Sequence, residues 1–179
     1  EKSEVKLNNF YKNSIQGDSI LIKYFEALGV ETKFIENKIV LTKIKDFSYP
    51  KNLNLNLIDS PDLAQTIAVT CFGLGVSCYL YGLQTLNIKE TKRLIALKNE
   101  LTKLGANLDI TESTLKLYKT REIKKNITIN TYQDHRMAMS FAPLSIKVPI
   151  FIENPNVVVK SYPKFWDDLK KAGFTIEKT

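Results

Sequence analysis

The sequence predicts an α/β (α+β) protein of repeated βαβαββ units, packed with pseudo-threefold symmetry around a shared helical core with the sheets outside. Three observations carry that expectation. A stretch with apolar residues three and four apart, then a glycine, then an alternating strand, occurs three times. Two of these strands are followed by a turn and a second strand, as in a hairpin. A second series of strand, aspartate and helix interleaves with the first.

The elements follow in order. A helix over 20–28 ends at Gly29 and leads into a strand over 30–35, a turn at Glu36-Asn37 and a strand over 38–42. The glycine suits the left-handed position that closes a helix. A strand over 53–58 precedes Asp62, a helix over 63–74 and a strand over 76–80. Lys89 precedes a helix over 94–104, which ends at Gly105 and leads to strands over 106–110 and 114–118. A strand over 126–130 precedes Asp134, a helix over 136–146 and a strand over 149–152. Lys160 precedes a helix over 165–172, Gly173 and a strand over 174–176. Asp62 and Asp134 are 72 residues apart, Lys89 and Lys160 are 71 apart, and Gly29, Gly105 and Gly173 are separated by 76 and 68. A period of about 70 in 179 residues implies two full units and a partial third. The crossovers should be right-handed.

Composition narrows the function. The chain has 179 residues, 44% apolar and 25% charged, which is globular rather than disordered composition and suits one domain or two very small ones. Its apolar runs are too short for a membrane helix. No basic-then-apolar leader is visible, and the first residue is Glu1, so a processed or excised piece is an open reading. Two cysteines, Cys71 and Cys78, exclude a disulfide framework and a four-cysteine zinc site, and one histidine excludes a histidine-rich metal site. Reduced buried thiols fit a cytoplasmic protein. The net charge of +7 attracts anions: nucleic acid, acidic lipid or phosphorylated and carboxylated small molecules.

The period places Asp62 and Asp134 at equivalent strand-to-helix junctions, and Lys89 and Lys160 at another pair. In α/β units such junctions gather on one edge, where functional groups are displayed. Each aspartate could equally be an N-cap, and each lysine surface charge. Asp134-His135-Arg136 puts an acid, the single histidine and a cation at one helix start, where backbone N–H groups favour anions. Lys89-Glu90-Thr91-Lys92-Arg93 places Arg93 four residues from Lys89 and three from Glu90, on one helix face. The set mixes anion binders (Lys89, Arg93, Arg136, Lys160) with acids (Asp62, Glu90, Asp134) and the His135 imidazole. That mixture suits proton transfer on a phosphorylated, carboxylated substrate. A phosphodiester site would present cations without acids, together with stacking aromatics. A basic binding module for nucleic acid or acidic ligands, without catalysis, is the alternative.

Asp134-His135-Arg136-Met137-Ala138-Met139, Lys89-Glu90-Thr91-Lys92-Arg93, Pro61-Asp62, Gln16-Gly17-Asp18 and Lys160-Ser161-Tyr162-Pro163 stand in the order found in 5-enolpyruvylshikimate-3-phosphate synthases. The chain resembles that family from about Ser14 to Phe174. The enolpyruvyl transferase of cell-wall synthesis shares the fold, but the six-residue string resembles the shikimate enzyme. The resemblance implies one domain of a two-domain enolpyruvyl transferase fold, with residues 1–179 as a single C-terminal domain and the N-terminal domain absent. It implies transfer of the enolpyruvyl group of phosphoenolpyruvate to the 5-hydroxyl of shikimate 3-phosphate, with release of phosphate. Asp62 would then hold the shikimate hydroxyls and act as base, Glu90 would handle the proton at the methylene carbon, and His135 would orient Glu90. Arg93, Arg136 and Lys160 would bind phosphoenolpyruvate, Lys89 would contact shikimate 3-phosphate, and Asp134 would position its neighbours. Glu90, set among cations, would need burial on closure to carry a proton near neutral pH. No cofactor or metal is implied, because phosphate leaves by C–O cleavage. A cytoplasmic monomer is expected, with the two substrates and the missing domain as partners, no nucleic acid and no membrane. The chain alone would be inactive. Two positions depart from the family pattern. Thr85 stands where many members carry an asparagine facing shikimate 3-phosphate, and Lys92 stands where an acid is frequent.

Overall fold

The computed structural model describes residues 3–8, 12, 17–88 and 92–177. The chain divides into two compact units, Glu1–Lys51 and Asn52–Thr179.

The first unit is a three-stranded antiparallel sheet with a short helix. Strand β1 is Glu4–Asn8, helix α1 is Leu21–Glu26, β2 is Val30–Ile35 and β3 is Lys38–Lys43, in the sheet order β1-β3-β2. The hairpin register pairs Ile35 with Lys38 across Glu36-Asn37, where Glu36 takes a positive φ of 53°. Gly29 closes α1 at φ 84°, and a Cβ there would lie 2.7 Å from the Phe47 ring. Strand β1 was not anticipated. Its five residues are all exposed, so no buried alternation marks it in the sequence.

The second unit holds one complete βαβαββ repeat: β4 (Asn52–Asn56), α2 (Ala64–Leu74), β5 (Ser77–Tyr81), α3 (Arg93–Lys103), β6 (Leu108–Ile110) and β7 (Thr114–Leu117). Its sheet runs β4-β5-β7-β6, with β4 parallel to β5 and the other pairs antiparallel. A further β8 (Ile127–Ile129), α4 (His135–Phe141), β9 (Ile150–Ile152) and α5 (Phe165–Lys171) begin another repeat, with β8 parallel to β9. The order and senses of β1-β3-β2 are those of β5-β7-β6, so the first unit repeats the closing half of the complete one. The repeat keeps the expected period but differs in phase. One whole repeat is flanked by two partial ones, in place of two whole repeats and a partial third.

Helix α2 is apolar on nearly every face, with Ile67, Ala68, Val69, Cys71 and Phe72 all buried, as a helix enclosed by other elements must be. It packs against α4, where Thr66 and Ser140 hydroxyls meet at 3.3 Å. Packing between helices of successive repeats is what the repeat arrangement requires. Helix α4 packs in turn on the 3-10 turn Pro155–Lys160, through Ala138, Ala142, Val158 and Phe165. Helices α2, α3 and α5 each end in a Schellman closure. In α3, for example, Gly105 N–H reaches Thr102 O at 3.0 Å and Ala106 N–H reaches Leu101 O at 3.0 Å.

Two expected elements differ. The helix expected over 136–146 is α-helical only to Phe141 and continues as the 3-10 turn Ala142–Ile146. Pro143 has no N–H to give to the carbonyl four residues back. Residues 174–176 form no strand, although Gly173 closes α5 as expected at φ 97°. A strand is defined by its ladder, and these residues pair with no strand among the described residues.

Candidate active site

Three helix starts in the second unit converge. The 3-10 turn Pro61–Leu63, which leads into α2, carries Asp62. The first residue of α3 is Arg93. Asp134 caps α4 in an extended conformation and accepts the Arg136 backbone N–H at 2.9 Å. The two aspartates therefore differ. Asp134 is an N-cap, whereas Asp62 lies inside its turn with its carboxylate turned to arginines.

The joining group is Arg93, which is only 2% exposed. Its Nε donates to Asp134 Oδ2 at 2.7 Å, and one terminal nitrogen donates to Asp62 Oδ1 at 2.8 Å. The other Asp62 oxygen accepts from Arg136 at 3.1 Å, across 74 residues of sequence. Gln65, buried on the first turn of α2, reaches Asp134 Oδ2 at 3.5 Å. The His135 imidazole lies 4.0 Å from Asp134 Oδ1. The cluster grades from a buried floor of Arg93, Asp134 and Gln65 to a half-buried rim of Asp62, His135 and Arg136.

The physics of this arrangement is specific. A guanidinium buried this deeply is tolerable only when paired and hydrogen-bonded, and two carboxylates supply that. The fork of Arg93 spaces them, so Asp62 is held from one side by a fixed cation and from the other by Arg136 at the rim. A carboxylate so held is oriented, with a cation on either side of it.

Of the sequence-predicted residues, Asp62, Arg93, Asp134, His135 and Arg136 come together. Lys89 and Glu90 lie outside the described residues, as do Thr91 and Gln16. Lys160 is exposed at the end of the turn whose Val158 packs under α4. Among the described residues no ion pair ties Lys160 to the cluster. Among the described residues, no group of three or more His, Cys, Asp and Glu is arranged to hold a metal ion, and no helix is long and apolar enough to cross a membrane. Cys71 and Cys78 are buried, and the hydrogen bond with Cys71, followed by burial, pushes the Cys78 thiol far above its ordinary range.

Sequence reasoning missed two groups, one in the cluster and one two turns further along α3. Gln65 is the one amide in the apolar start of α2, between Ala64 and Ile67. Glu100 interrupts the stripe of Leu94, Leu97, Leu101 and Leu104 on α3 and is fully buried. A polar side chain standing on a buried apolar face was the available signal in both.

The family model of EPSP synthase (3-phosphoshikimate 1-carboxyvinyltransferase) matches residues 1–169. A 3-phosphoshikimate 1-carboxyvinyltransferase of Bacteroides fragilis is 43% identical over 179 residues, which is 98% of this chain and 43% of that protein. One from Neisseria meningitidis is 31% identical over 174 residues, covering 97% of this chain and 40% of the relative. The chain thus spans less than half the length of the curated relatives it matches. The structure of EPSP synthase from Acinetobacter baumannii superposes with a TM-score of 0.74 at 20% identity, over 100% of this chain and 43% of that one, a likeness of fold. By the match of the family model along nearly its whole length, this chain belongs to the EPSP synthase family.

Proposed function

We propose that the chain supplies the C-terminal domain, residues 1–179, of an enzyme that moves the enolpyruvyl group of phosphoenolpyruvate to the 5-hydroxyl of shikimate 3-phosphate. The observation that carries the reading is the Asp62–Arg93–Asp134 network with Arg136 at its rim, built from segments 31 to 74 residues apart. In the addition step the 5-hydroxyl oxygen bonds to C2 of phosphoenolpyruvate. Asp62 takes the hydroxyl proton, and Glu90 delivers a proton to the methylene carbon. In the elimination step the C2–O bond to phosphate breaks, and the methyl carbon returns a proton to Glu90. The proton held by Asp62 passes to the departing phosphate oxygen, so phosphate leaves as hydrogen phosphate, both acids are restored, and atoms and charge balance.

Arg136 and Lys160 bind the carboxylate and phosphate of the donor. Arg93 adds its charge from beneath while holding Asp62 and Asp134, and Lys89 meets shikimate 3-phosphate. Asp134 sets the start of α4, and with it His135 and Arg136. Each cation facing developing charge in a dry cleft can contribute about 2–4 kcal/mol to the barrier reduction. The acids interleaved with these cations weigh against a face for phosphodiester backbones, which repels carboxylates. The partners of this reading are the two substrates and an N-terminal domain of the same enzyme, in a cytoplasmic monomer.

The test is phosphate release from the two substrates. The 179-residue chain alone should release none, and adding the N-terminal domain should restore part of the activity. Turnover by the chain alone would overturn the two-domain requirement. Tight salt-dependent binding of an oligonucleotide, with no effect of phosphoenolpyruvate, would overturn the substrate assignment.

A further inference from the structure

Glu100 is a buried carboxylate that the reaction above does not use. Its Oε2 accepts the Asn130 backbone N–H at 3.0 Å, and its Oε1 accepts the Tyr132 hydroxyl at 2.7 Å. Lys103, one turn further along α3, pairs with the same carboxylate and donates to the Thr128 carbonyl at 2.7 Å. Helix α3 therefore grips the chain as it leaves β8. Burial first, and then the bond to Glu100, raise the Tyr132 phenol above its ordinary pKa.

The gripped segment is strained. Tyr132 and Gln133 have φ of 53° and 60°, a left-handed pair without glycine. A bulky aromatic in that region is disfavoured and persists only where its surroundings hold it. The next residues are Asp134, His135 and Arg136. The turn thus sets where α4 starts and which way its cap faces.

Arg93 and Glu100 are seven residues apart, two turns of α3, and so share one face. At one end of that face Arg93 holds the Asp134 carboxylate at 2.7 Å. At the other, Glu100 holds Asn130 and Tyr132. A leucine in place of Glu100 would extend the apolar stripe without the cost of burying a charge. It could not accept the Asn130 and Tyr132 hydrogen bonds.

We propose that Glu100 is a positioning residue, a brace on α3 that holds the Tyr132-Gln133 turn and thereby aims Asp134, His135 and Arg136 at the anionic substrate. The inference rests on the proposed reading of that site. Glu100 touches no reacting atom, and its effect passes through the turn.

The single histidine makes this measurable, because the His135 imidazole gives one isolated set of NMR signals. Three variants of the 179-residue chain are compared with the unmutated protein, each titrated with phosphoenolpyruvate. Glu100→Ala should move and broaden the His135 signals and weaken phosphoenolpyruvate binding by about ten-fold or more. Glu100→Gln should return both toward the unmutated protein. Its amide oxygen can still accept from Asn130 and Lys103, and its NH2 can donate to the Tyr132 oxygen. Tyr132→Phe should shift the signals in the same direction by less. A folded Glu100→Ala variant whose His135 signals superpose on the unmutated ones overturns the brace. If Glu100→Ala does not fold, unchanged signals in Tyr132→Phe overturn it, and shifted ones support it. If phosphoenolpyruvate moves no signal in the unmutated chain, the titration is repeated with the N-terminal domain added; no response there overturns the substrate reading, and the His135 comparison still decides the brace.

Discussion

Replacing Asp134 by alanine should be the most damaging single change at the cluster. It removes the acceptor for Arg93 Nε at 2.7 Å, the cap on the Arg136 N–H at 2.9 Å and the partner of Gln65 at 3.5 Å. The first loss dominates, because the Arg93 guanidinium is 2% exposed and its charge stays buried. Breaking a buried pair from one side costs about 3–5 kcal/mol. Asp62 still faces Arg93 at 2.8 Å, which takes the cost to the lower end, about 3 kcal/mol. Losing the cap adds about 1 kcal/mol. The sum is about 4 kcal/mol. For a chain of this length each kcal/mol moves Tm by about 2–4 °C, so a fall of roughly 8–16 °C is expected. Asp134→Asn keeps an oxygen for the cap and one for Arg93, and should lose about half as much. Asp62→Ala should lose about 1–2 kcal/mol, because its carboxylate is partly exposed and solvent replaces part of what it gave. The assay is urea unfolding followed by far-UV circular dichroism. Equal losses for Asp134→Ala and Asp62→Ala would refute the claim that the buried pair carries the energy.

Two further outcomes follow from local geometry. Tyr132 has a raised pKa, so its contribution to stability is full below the ordinary tyrosine value of about 10 and fades as pH rises through the raised value. Tyr132→Phe should flatten that alkaline loss, measured as Tm against pH from 8 to 11.5, about the range over which tyrosines titrate. Gly29 and Gly173 both hold positive φ, but a Cβ meets Phe47 at 2.7 Å in the first case and nothing within 4 Å in the second. Gly173→Ala should cost about 1–2 kcal/mol for the backbone alone, and Gly29→Ala about 1–3 kcal/mol more for the clash, read as the difference in unfolding free energy.

Much of the local structure was legible because it depends on neighbours in sequence. Helices α1, α3 and α5 announce themselves through apolar spacing and a closing glycine. Both hairpins show through alternation around short polar turns. Strand β1 carries no such mark, since an exposed strand is defined by the partner it hydrogen-bonds to. The segment 174–176 alternates like a strand and forms none, for the same reason. Pro143 was visible, yet its cost to the helix counts only once the carbonyl four residues back needs a partner.

For the candidate site, the sequence by itself determined which residues carry charge and which stand at equivalent junctions, because a repeat period is a property of order along the chain. The family resemblance rests on the same short strings. Only the tertiary structure decided that Arg93 is buried between two carboxylates, that Asp134 caps a helix while Asp62 does not, and that Glu100 holds a strained turn. The first and the last are electrostatic pairings between segments about 30 or more residues apart. Coulomb and hydrogen-bond energies depend on separation in space and on exclusion of water, and neither is defined until the helices pack.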